Sequence, residues 1–162
     1  MDIATKASFL QNNFIRLLSS LLPTETGIWG VLNAQQMVEH FSDAFRIASG
    51  SKGNIKLLTP EEHVEKMQIF LRSSKPFREN TKNALMPDEP TAVKHRNMED
   101  SISELDFEIG VFFNRFKADE HLATLNPFFG WLKYEDNVLL LYKHALHHLV
   151  QFRLWTYKEG QI

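Results

Sequence analysis

The chain has 162 residues, with 18 basic and 20 acidic side chains for a formal charge of −2, and no run of five like charges. That balance excludes the basic surface a nucleic-acid-binding domain needs, and the absence of cysteine excludes disulfides and thiolate metal sites, so any metal must be held by nitrogen and oxygen. The length suits one domain over residues 1–162, no apolar run approaches the roughly 20 residues of a membrane span, and nothing near Met1 reads as a secretory signal; the expectation is a soluble, cytoplasmic protein without a membrane partner.

Phe9, Leu10, Phe14, Leu17, Leu18 and Leu21 recur at three- and four-residue spacing and Pro23 stops the pattern, which predicts a first helix over 3–21. A turn from Pro23 to Gly30 follows. Asn33 with Gln36 three residues later is a capping box for a second helix over 34–48, which Ser49-Gly50-Ser51 closes. A short third helix is predicted over 60–73, with Thr59 as N-cap, Pro60 at N1 and Glu62 at N3. Ser74–Asn97 holds Pro76, Pro87 and Pro90 with few large apolar residues and reads as a long surface excursion, a type of loop that often borders a site. Ile102, Leu105, Ile109, Phe112, Phe113 and Phe116 make an amphipathic helix from Asn97 to His121, and their rings are most simply core. Asn126-Pro127-Phe128-Phe129-Gly130 reverses the chain, with Gly130 supplying a special backbone angle, and a last helix spans 133–158. Four long helices with almost no β-alternation predict an all-α fold, a four-helix bundle with one extra short helix and one long surface loop.

The last helix carries HALHHLVQF over 144–152. With His144 at zero, a helix puts His148 at about 40°, Gln151 at about −20°, Leu141 at about 60° and Trp155 at about 20°, so His144 and His148 share one apolar face at the spacing that lets two imidazoles grip one ion. On the second helix, with His40 at zero, Ile47 lies at about −20°, Ala44 at about 40° and Met37 at about 60°, which centres His40 on the apolar stripe. A polar ring there needs a partner inside the bundle, either the other inward imidazoles or a metal they share. His40, His144 and His148 are therefore the candidate ligands. Three nitrogens from two helices leave coordination positions open, as in catalytic sites, and suit nickel or zinc in the absence of sulfur ligands. Gln151, one turn beyond His148, is placed to orient a ligand, a water or a substrate group. His147, at about −60°, reads as facing a helix neighbour, and His63, His95 and His121 as solvated. No general base is evident: Glu39 lies about 100° from His40, and Asp106 and Glu108 serve only if their helix turns them inward. The other reading of the same residues is a non-catalytic bundle, structural or binding a small molecule, with a buried histidine network.

The segments NPFFGWLKYEDNVLLLYKHALHHLVQF and LNAQQMVEHF resemble a branch of the DinB/YfiT-like superfamily of metalloenzymes. The resemblance implies a four-helix bundle with one histidine on the second helix and two, four apart, on the last binding a divalent metal, which carries over to His40, His144 and His148. It further implies a low-molecular-weight thiol or another small molecule as the substrate, because relatives include thiol-dependent S-transferases and isomerases; hydrolysis through an activated water is equally compatible with the residues. Asn126 stands where the family often has histidine, and Lys133 where a Ser/Thr helix cap is usual. Leu139, Tyr142, Leu146, Leu149 and Val150 lie between about 140° and about 240° from His144, and an apolar face there, if nothing in the chain covers it, predicts a homodimer.

Overall fold

A computed structural model describes residues 1–81 and 89–157. Helices dominate it, as an all-α fold requires: among the described residues they are α1 (Ile3–Asn12), α2 (Phe14–Leu18), α3 (Ala34–Ser49), α4 (Glu61–Arg72), α5 (Met98–Ala118) and α6 (Tyr134–Gln151). None is long and apolar enough to cross a membrane. The apolar stripes of α1, α2, α3, α5 and α6 meet in one core, where Phe14 packs edge-on to Phe41, and Phe45 to Phe112, at ring separations of 4.7 and 5.8 Å. A second cluster, Leu71, Phe129, Leu132 and Leu140, joins α4 to the chain reversal and α6.

Local chemistry sets most boundaries. Asn33 and Gln36 form the expected capping box at the start of α3, and Gly50 ends it at φ 72°, with Gly50 N–H donating to Ile47 and Ser51 N–H to Arg46. Asn97 caps α5 through Asp100 N–H. The first helix is broken at Asn13, where two successive asparagines favour local bonding over the helix, Asn12 reaching back to the Ser8 carbonyl. Thr59 does not cap α4. Pro60 takes that position without a side-chain bond, and the Thr59 N–H is drawn to the Pro127 carbonyl instead.

Two further expectations need correction. The reversal at 126–130 is a hairpin, β1 (Thr124–Asn126) pairing antiparallel with β2 (Gly130–Leu132), in strands too short to show alternation. Asn126 Oδ1 accepts from Phe128 and Phe129 N–H, and Gly130 sits at φ 72°, where a Cβ would meet Val64 Cγ1 at 2.8 Å. The last helix ends at Gln151, short of 157; position 158 lies outside the described residues. Its stop is the same 6→1 and 5→2 bond pair that closes α3, Leu154 N–H to Leu149 and Arg153 N–H to Val150, but with Arg153 at φ 59° in place of the glycine that would have betrayed it in the sequence.

Part of the face that motivates a homodimer is covered within the chain. Tyr142, Leu146 and Leu149 are buried, and Phe9 of α1 lies edge-on to Tyr142 at 5.3 Å. Leu139 and Val150, on the same face, are half-buried.

Candidate metal centre

Two helices bring three imidazoles to one point. His40 on α3 and His144 and His148 on α6 place their ligating nitrogens all within 4.8 Å of one another, close enough to hold one ion. His144 Nε2 stands 3.1 Å from His40 Nε2 and 3.0 Å from His148 Nε2. Phe41, fully buried beside His40 in the chain, floors the group with its ring 4.5 Å from that of His144 and 5.4 Å from that of His148. His40 is not at the centre of the α3 stripe. Its fully buried apolar residues, Ala34, Met37, Val38, Phe41 and Phe45, centre about 120° away, so His40 occupies the margin where α3 meets α6.

His148 is buried, while His40 and His144 keep a partly exposed edge. Packed atoms nevertheless surround all three rings closely enough for desolvation to govern their titration. It pushes His40 down to about 4 and holds His144 and His148 well below the usual imidazole value, with the neighbouring imidazoles adding to the effect. All three are neutral at pH 7, the form that binds metal.

Gln151, the last residue of α6, has its Oε1 2.6 Å from His148 Nδ1 and its Nε2 2.7 Å from the Trp29 carbonyl. His147 lies outside the triad, its ring 5.1 Å from that of His148 and between Trp29 at 5.8 Å and Phe77 at 6.2 Å. His63 and His121 are exposed, but His95 is not merely solvated: its Nε2 faces Glu104 Oε2 at 3.1 Å.

The acidic candidates are occupied elsewhere. Glu39 is buried and accepts from the Lys94 and His95 N–H groups and from Ser101 Oγ, which hold its carboxyl below the ordinary range against the opposing effect of burial. Glu108 pairs with Arg46 at 2.8 Å, and Asp106 is exposed. None of the three supplies a base to the triad.

Three residues near the centre carry no signal in the sequence strong enough to single them out. Trp29 sits in a segment read as a turn. Phe77 belongs to the excursion, yet its ring is 6.3 Å from that of His144. Lys143, the neighbour of His144, is buried, with its Nζ donating to the Phe70, Ser73 and Lys75 carbonyls at 3.3, 2.7 and 2.9 Å. Burial pushes it down to about 8, and those carbonyls hold the ammonium that remains at neutral pH.

Comparison with family models, curated proteins and solved structures finds no match to this chain.

Proposed function

We propose that the chain is a metal-dependent enzyme of the DinB/YfiT type, a four-helix bundle in which His40, His144 and His148 hold one divalent ion, nickel or zinc. The observation that carries this reading is the convergence of three neutral Nε2 atoms. A neutral imidazole nitrogen either bears one hydrogen or offers one lone pair, so His144 Nε2 makes a hydrogen bond with only one of its two close neighbours at a time. The second approach is then unpaired in a desolvated place, whereas one cation accepts all three lone pairs. The two approaches to His144, at 3.1 and 3.0 Å, fit as well: with bonds of about 2.1 Å, adjacent nitrogens of a tetrahedral or octahedral shell stand about 3.0–3.4 Å apart.

The ion would supply Lewis acidity, lowering the pKa of a water or of a low-molecular-weight thiol. The residues contribute position and polarity. Among the described residues no carboxylate joins the triad, so the bound charge stays at +2 beside the Phe41 ring, which favours an anionic partner at the open positions. Thiol transfer rests on the sequence resemblance alone, and hydrolysis fits the same residues.

Untagged protein prepared without chelator and supplemented with zinc or nickel is expected to carry close to one equivalent of metal by elemental analysis. Less than about a tenth of an equivalent would overturn the reading in favour of a structural histidine network. The loaded protein, assayed with a thiol and an electrophile and separately with activated esters, distinguishes transfer from hydrolysis.

A further inference from the structure

We propose that the loop between α2 and α3 is a tautomer clamp: the Trp29 carbonyl orients the Gln151 amide so that His148 carries its hydrogen on Nδ1 and turns the Nε2 lone pair to His40 and His144, and Gly27 and Gly30 let the loop close on that amide. The consequence for metal binding rests on the function proposed above; the clamp itself does not.

Each assignment forces the next. A backbone carbonyl only accepts, so the end of the Gln151 amide that lies 2.7 Å from Trp29 O is the NH2 group. The opposite end is then the oxygen, which also only accepts, so His148 Nδ1, 2.6 Å away, is the donor. A neutral imidazole has one hydrogen to place. With it on Nδ1, Nε2 bears the lone pair, the arrangement a metal needs and the reverse of the tautomer that free histidine favours in water.

The loop is built to hold this amide. Ile28 N–H donates to the Gln151 carbonyl at 2.9 Å, satisfying one of the acceptors a helix leaves open at its end. The neck of the loop is closed by the Thr26–Asn33 bridge and by Ala34 N–H on the Glu25 carbonyl at 2.8 Å, which pins it to the start of α3, the helix that carries His40. Side chains are shut out where the loop meets Gln151. A Cβ on Gly27 would lie 2.5 Å from Gln151 Cγ and 2.9 Å from the Trp29 oxygen, and a Cβ on Gly30 2.6 Å from Gln151 Nε2. Gly30 also sits at φ 76°, in the region that favours glycine.

The test uses the full chain, metal-free and labelled with nitrogen-15 in its histidines. Two-dimensional NMR of the imidazoles is expected to show His148 as the Nδ1–H tautomer and to show it moving toward Nε2–H in Gln151→Leu. Zinc affinity, measured by competition with a chromophoric chelator, is expected to fall roughly 10- to 100-fold in Gln151→Leu and in Gly27→Ala, and the double variant to fall no further than Gln151→Leu alone. A wild-type His148 with its hydrogen on Nε2 overturns the clamp whether or not any variant folds, as does a tautomer unchanged in Gln151→Leu or an additive double variant. A wild-type chain that takes up no zinc overturns the metal centre instead, and the tautomer of His148 then decides the clamp by itself.

Discussion

Acid destabilises the metal-free protein through its inward histidines, and His40→Ala removes one proton from that linkage. The unfolded chain protonates His40 near 6.5, whereas the fold holds it at about 4. Between those values the unfolded state binds a proton the native state refuses, so stability rises with pH across the window, is fully present above 6.5 and is lost as pH falls toward 4. A shift of this size corresponds to about 3 kcal/mol at about 1.4 kcal/mol per unit, and the partly exposed edge of the ring brings the expectation to about 2 kcal/mol. His144, His148 and His147 are displaced in the same direction, so up to four protons are taken up on unfolding near pH 5. Glu39, Asp43 and Glu104 are held below their ordinary carboxylate values and titrate at lower pH, which leaves pH 5–6 to the imidazoles. Urea unfolding followed by circular dichroism at closely spaced pH, with chelator present, gives the slope of stability against pH and hence the proton uptake. His40→Ala is expected to reduce that uptake by about one proton, or about 1 kcal/mol between pH 5 and 6. An unchanged slope would refute the reasoning, because it would mean that His40 titrates alike in the folded and unfolded chains.

Zinc at about a hundred times its dissociation constant should stabilise the fold by about 2.7 kcal/mol and raise Tm by roughly 5–10 °C in calorimetry, and a rise that persists in His40→Ala would show that the ion binds elsewhere. His148→Ala should abolish zinc binding in titration calorimetry and His147→Ala should retain it, since the His147 ring lies outside the triad; the opposite outcome would overturn the ligand assignment. Lys143→Ala leaves the Ser73 and Lys75 carbonyls just past α4 without this donor, while the Phe70 carbonyl keeps Ser73 N–H and Oγ, and should cost about 2 kcal/mol in urea unfolding; a loss under about 0.5 kcal/mol would show that water replaces the ammonium.

Where the sequence was informative, the information was periodic or local. The i, i+4 spacing of His144 and His148 and the apolar stripes of α3 and α5 follow from helix geometry, and the Asn33–Gln36 box from a four-residue pattern. What escaped it depends on residues distant in the chain. The stop of α6 uses Arg153 at φ 59°, a conformation that only the final packing enforces and that no glycine announces. Lys143 is buried by three carbonyls at and just past the end of α4, some 70 positions upstream, which no local pattern announces. Thr59 satisfies the cap pattern, but the Pro127 carbonyl on the hairpin binds its N–H, so a tertiary contact displaces a local one. Trp29 matters through its backbone oxygen, which no pattern of side chains reveals.

The two described limbs of the 74–97 excursion are tied down by residues adjacent in sequence to two of the triad histidines. Lys143, beside His144, holds the outgoing limb at Lys75 and the α4 cap at Ser73 from which it leaves; Glu39, beside His40, holds the returning limb at Lys94 and His95. Neighbours in a helix point about 100° apart, so one turn presents an imidazole to the other helix and a buried charge to the adjoining limb. Both charges are costly to bury unless their hydrogen bonds are complete, which makes each limb a condition of its helix packing as it does. The rotation of α3 and of α6 that converges the three Nε2 atoms is therefore fixed from outside as well as by the core, and Phe77, carried on the outgoing limb, comes to lie against His144 by the same constraint.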